Sequence, residues 1–114
     1  MQNHYFFSEN ALIIDRKYCQ EVLPNQVIML QGFVNYSLVF LTNGKKIMLA
    51  RTLKYFEEKL CPEGFIRVHR SYLINPKYLA NYDNRNKSIV MNNGLEIEVA
   101  RRRKKNLKQC KIKT

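Results

Sequence analysis

Short apolar stretches separated by turn residues dominate the chain. Leu38-Val39-Phe40-Leu41-Thr42 and Lys45-Lys46-Ile47-Met48-Leu49 flank Asn43-Gly44, the pair best suited to a tight turn with positive φ. Lys87-Ser88-Ile89-Val90-Met91 and Leu95-Glu96-Ile97-Glu98-Val99 flank Asn92-Asn93-Gly94 in the same way. In the last arm, alternation points Leu95, Ile97 and Val99 inward and Glu96 and Glu98 outward, so one face should meet solvent. Ala11–Ile14 and Val27–Leu30 read as short buried strands, Tyr18–Leu23 as a further candidate, and Leu23-Pro24-Asn25 as a turn. Helical spacing is scarcer. Thr52 can cap Leu53–Leu60, with Leu53, Phe56 and Leu60 on one stripe and Cys61-Pro62-Glu63-Gly64 as the stop. The C-terminal run is a second helical candidate, with Ala100, Leu107 and Cys110 on a thin apolar seam. These elements predict a mostly β domain of many short strands with one or two short helices.

The run Phe65-Ile66-Arg67-Val68-His69-Arg70-Ser71-Tyr72-Leu73-Ile74-Asn75-Pro76 adds chemistry to that pattern. Phe65, Tyr72, Leu73 and Ile74 can anchor it in a core, leaving both arginines, His69 and Ser71 on a loop as donors for an anionic partner. Two other polar clusters fall at turns or ends of predicted elements: Asn35-Tyr36-Ser37 and Arg101–Lys105. Asn, Arg and His can read base edges, whereas Ser, Tyr and Lys more often hold phosphates.

Charge favours a polyanion. The 114 residues carry a net charge of +11. Eight of the cations lie in residues 101–114, where there is no acid; residues 1–100 hold twelve cations against nine acids, a net of +3. DNA, RNA and an acidic protein or lipid surface all fit such polarity. The basic tail lacks aromatic anchors, which counts against stable membrane docking. His4 and His69 are the two histidines, and no nucleophile–base–carboxylate set, metal-ligand spacing or glycine-rich phosphate loop is readable, so neither an enzyme nor a cofactor or metal is expected. Cys19, Cys61 and Cys110 form no CxxC pair and fit a reducing cytoplasm. There is no 18-residue apolar run and no signal-peptide pattern.

In order and spacing, these motifs resemble the LytTR DNA-binding domain family of bacterial transcriptional regulators. The resemblance runs through Asn25–Gln31, Asn35-Tyr36, Asn43-Gly44, Leu53–Leu60, Phe65–Asn75, Asn93-Gly94 and Val99-Ala100-Arg101-Arg102. Phe65–Asn75 is its most specific part. It covers roughly residues 10–112, which would form one domain after a lead-in at 1–9. It implies an elongated fold of about ten short strands in antiparallel sheets, with loops that enter the major groove of double-stranded DNA. It also implies two copies pairing on direct repeats, and a cytoplasmic regulator without a receiver domain in this chain. Carried over by position, base contacts fall to Asn35, Tyr36, Ser37, Arg70 and Arg102. Phosphate contacts fall to His69, Ser71, Arg101 and Lys105, with His69 also packing or positioning its loop. The chain departs from the family pattern where Gln31 replaces a usual Glu, where Gly32-Phe33-Val34 replaces acidic or small polar residues, and where Ala100 replaces a usual Ser. The alternative reading is a basic peripheral module binding RNA, acidic protein or a lipid surface.

Overall fold

Apolar side chains on both faces of two strands, β3 (Val27–Gly32) and β4 (Ser37–Leu41), demand cover on both sides and put this pair at the centre of the molecule. The computed structural model describes residues 11–15, 20–83 and 85–103. Among these, eight further strands and one helix surround the central pair. They are β1 (Ile13–Asp15), β2 (Gln20–Val22), β5 (Lys46–Leu49), α1 (Leu53–Leu60), β6 (Ile66–His69), β7 (Tyr72–Ile74), β8 (Leu79–Asp83), β9 (Ser88–Met91) and β10 (Glu96–Glu98). All the pairings are antiparallel: β5-β4-β3-β7-β6 form a five-stranded sheet, β10-β9-β8 a three-stranded sheet, and β1-β2 a ribbon. The molecule is elongated, with extents of 56 × 27 × 24 Å.

Each face of the large sheet has its own core. On one, Val27, Leu30, Val39, Leu41 and Leu73 pack with Leu53, Phe56 and Leu60 of α1. On the other, Ile28, Met29, Phe40, Ile66, Val68 and Ile74 meet Tyr82, Ile89, Met91 and Ile97 from the smaller sheet and Val99 just after it. Simple alternation would send Ile28 and Met29 to opposite faces. A register shift between Val27 and Met29 instead places both in the second core, the expected effect of a one-residue bulge.

Local signals explain the connections. The Thr52 hydroxyl accepts the Tyr55 amide at 3.3 Å and starts α1, which ends where Cys61-Pro62-Glu63 tightens into a 3-10 turn. Gly44 and Gly94 adopt φ of +88° and +90° in the two predicted hairpin turns, a region that a Cβ would disfavour.

The helix matches its expected bounds, and both hairpins form. Other expectations need correction. The expected strand at Ala11–Ile14 runs instead from Ile13 to Asp15, paired with β2. Leu95 is exposed rather than inward, because its carbonyl accepts the Met91 amide in the turn before β10 begins. Residues 101–103 form a 3-10 turn; the remainder of the second helical candidate, with Leu107 and Cys110, lies outside the described residues. Phe65–Pro76 is a hairpin built into the large sheet, so the loop is confined to Arg70 and Ser71. The structure adds β8, which the apolar pattern does not reveal.

Candidate nucleic-acid interface

The β6–β7 turn is short and internally braced. A bulge between Arg67 and His69 turns the Arg67 side chain back over the turn. Its Nε donates to the His69 carbonyl at 2.8 Å, one Nη donates to the Arg70 carbonyl, and the other pairs with Glu57 Oε1 of α1 at 2.6 Å. The planar guanidinium suits this task because its donors are fixed in a fork. The Ser71 amide donates to His69 Nδ1 at 3.0 Å, and the imidazole lies against Tyr72 with ring centroids 5.7 Å apart. With Nδ1 accepting, the neutral ring carries its proton on Nε2. Arg70 is exposed, and its guanidinium has no hydrogen bond or ion pair among the described residues.

One end of the large sheet gathers other segments beside this turn. The Gly32 amide donates to the Ser71 carbonyl at 2.7 Å, which sets the β3–β4 turn next to Arg70. That turn, Phe33–Tyr36, is closed by reciprocal backbone bonds: Phe33 N–H to Tyr36 O at 2.7 Å and Tyr36 N–H to Phe33 O at 3.3 Å. Gly32 also allows a close approach, since a Cβ there would lie 3.1 Å from Leu53 Cβ. Behind the turn, the Ser37 hydroxyl donates to the Arg51 carbonyl at 2.8 Å, drawing the β5–α1 connection to the same end of the sheet. The Arg51 guanidinium stacks 4.6 Å from the Tyr55 ring centroid. From the smaller sheet, the Ala100 amide donates to the Val68 carbonyl at 2.8 Å and fastens the Arg101–Arg103 turn beside β6.

The residues singled out by sequence therefore separate. Asn35, Tyr36 and Arg70 stand exposed on adjoining turns; Arg101 and Arg102 are exposed on the segment fastened to β6. Ser71 is half-buried, and its hydroxyl has no hydrogen bond among the described residues. Ser37 is a correction: it is fully buried and its hydroxyl serves the Arg51 carbonyl, so it supports the turn from behind. His69 is half-buried and committed through Nδ1 to shaping the turn. Arg67 is likewise an internal brace and not a presented donor. Lys105 lies outside the described residues. Sequence reasoning overlooked Arg51, which follows a strand end without neighbouring cations; the buried serine that brings it here carries no sequence signal of its own. Among the described residues, no helix is long and apolar enough to cross a membrane.

The fold as a whole agrees with comparisons to known proteins. The family model for the LytTr DNA-binding domain matches residues 19–111. A solved LytTr DNA-binding domain from Bacillus cereus superimposes with a TM-score of 0.72 at 19% identity, covering 90% of this chain and 97% of that one. Transcriptional regulatory protein LytR from Staphylococcus aureus strains N315, NCTC 8325 / PS 47 and USA300 is in each case 31% identical over 83 residues. Those matches cover 70% of this chain and 34% of the relative, so the chain spans about a third of the length of these curated relatives. By the match over residues 19–111, the chain belongs to the LytTR DNA-binding domain family.

Proposed function

We propose that this domain is a sequence-specific, double-stranded-DNA-binding transcriptional regulator that reads the major groove through loops. The reading assigns residues 10–112 to one domain acting in the cytoplasm, with two copies pairing on direct repeats. The observation that carries it is the Gly32–Ser71 backbone bond, which sets the exposed Arg70 turn beside the exposed Asn35-Tyr36 turn at one end of the sheet. Arg70 takes the role of bidentate reader of a guanine, with Asn35 and Tyr36 on a neighbouring position. Arg102 contacts a further base, while Ser71, Arg101 and Lys105 hold phosphates. His69 Nε2–H faces the remaining choice of a phosphate oxygen, because Nδ1 is already engaged.

Selection from random duplex DNA tests this reading. Two similar motifs about one helical turn apart are expected, and the absence of enrichment overturns it. Arg70→Ala should cost about 1–3 kcal/mol on the selected site and relax preference at one base position. Lys105→Ala should weaken all sequences alike and reduce the slope of log K against log salt by about one. If Arg70→Ala also weakens all sequences equally, Arg70 does not read a base. Competition with single-stranded RNA separates duplex recognition from general polyanion binding.

A further inference from the structure

We propose that Val34, at the tip of the β3–β4 turn, determines specificity by packing on the 5-methyl group of thymine. This deepens the duplex-DNA reading above and rests on it. Val34 is 90% exposed, and Phe33 and Tyr36 on either side of the tip are 46% and 50% exposed. One four-residue turn thus exposes two apolar side chains and a tyrosine ring, a concentration that marks a contact surface more often than a single exposed apolar residue does.

The surroundings select the partner. Residues 33–36, 50–52, 70–71 and 100–103, tied together by the bonds described above, contain five arginines and no acid. An apolar tip inside a cationic rim matches a duplex, whose phosphates flank a groove floor of base edges. Two paired strands lie about 4.8 Å apart before their side chains are added, so the hairpin fits the roughly 12 Å major groove and is too wide for the roughly 6 Å minor groove. The thymine methyl is the apolar feature of the major-groove floor. Against guanine or cytosine, Val34 would strip water from polar base atoms without replacing their hydrogen bonds.

Geometry supports the same assignment. Gly32 is level with Ser71, so Val34 stands ahead of the Arg70 turn by roughly one residue, about 3.4 Å. The reciprocal Phe33–Tyr36 backbone bonds hold the tip, and valine is stiff at χ1, so the methyl groups are presented with little entropy left to lose.

The test uses the full chain and the duplex enriched by selection. Each thymine is replaced singly by deoxyuridine, which removes the 5-methyl group and keeps the pairing edge. At one position the unmodified protein should lose about fourfold in affinity, the equivalent of one buried methyl group. Val34→Ser should bind the thymine duplex about that much more weakly and show no further loss with deoxyuridine there; Val34→Thr, which keeps one methyl, should fall between. Val34 is exposed, so circular dichroism should show these variants folded. If no position responds to deoxyuridine, or if Val34→Ser responds as strongly as the unmodified protein, the inference is overturned while duplex recognition stands. If no sequence is enriched at all, the DNA reading falls and takes this inference with it.

Discussion

Replacing Arg67 by alanine separates a brace from a DNA contact within one arginine-rich turn. The side chain is 13% exposed and Glu57 is 30% exposed, so the fork is largely shielded from solvent. The substitution removes donors from the His69 and Arg70 carbonyls and leaves Glu57 without its partner. Two charge-assisted bonds near the lower end of their usual range, plus a partly exposed ion pair, amount to about 3–4 kcal/mol. That is a substantial share of the roughly 5–15 kcal/mol expected for a domain, so the variant should fold with reduced stability. Urea denaturation followed by circular dichroism measures the loss. Arg67→Lys should retain part of it, because an ammonium cannot match all three acceptors. DNA titration at several salt concentrations gives the second readout. A brace predicts weaker binding with an unchanged salt slope, since no phosphate contact is lost, whereas a phosphate-binding arginine predicts a slope lower by about one. Stability changed by less than about 0.5 kcal/mol together with a reduced slope would refute the bracing role.

Ser37→Ala should cost about 1–3 kcal/mol by stranding the Arg51 carbonyl, and should leave base preference in a selection experiment unchanged. Gly32→Ala places a methyl 3.1 Å from Leu53 Cβ and 3.2 Å from Leu53 Cδ2 and should destabilise by about 1–3 kcal/mol in urea; unchanged stability would show that the helix gives way without cost. Burial, and then the Glu57 charge, push the Cys61 thiol above its usual pKa, with Arg67 partly opposing them. A raised pKa means less thiolate near neutral pH. In a Cys19→Ser, Cys110→Ser background, iodoacetamide should therefore label folded Cys61 more slowly than the urea-unfolded chain, and Glu57→Gln should speed the reaction.

The legible parts of the fold were those whose cause is local. Thr52 and the Leu53, Phe56, Leu60 stripe specify α1 without outside help, and Asn43-Gly44 and Asn93-Gly94 announce their hairpins. Strand β8 has no such mark: Tyr82 is its one buried side chain, a shift between Leu79 and Asn81 breaks its register, and pairing with β9 makes it a strand. The candidate site was legible as three polar clusters, while the division of labour inside them was not. Arg67 and Arg70 look equivalent in sequence; the bulge between Arg67 and His69 assigns one to the protein and leaves the other outside. Ser37 looks like a loop hydroxyl until pairing opposite Gly32 and Leu49 carries it into the interior.

The bond from Gly32 to Ser71 also acts as a ruler. It joins strands whose offset is held at Met29–Ile74, Leu30–Leu73 and Gln31–Tyr72, in a sheet buried on both faces. Sliding β7 by one residue would exchange Leu73 and Ile74 between two different cores, so the smallest change that preserves the faces is two residues, about 7 Å. Substitutions at Val34, Asn35, Tyr36 or Arg70 can change what each turn touches, but the separation between the turns belongs to the core. On the proposed reading, sequence preference can therefore drift residue by residue at the tips, whereas the spacing between the two turns is inherited with the fold.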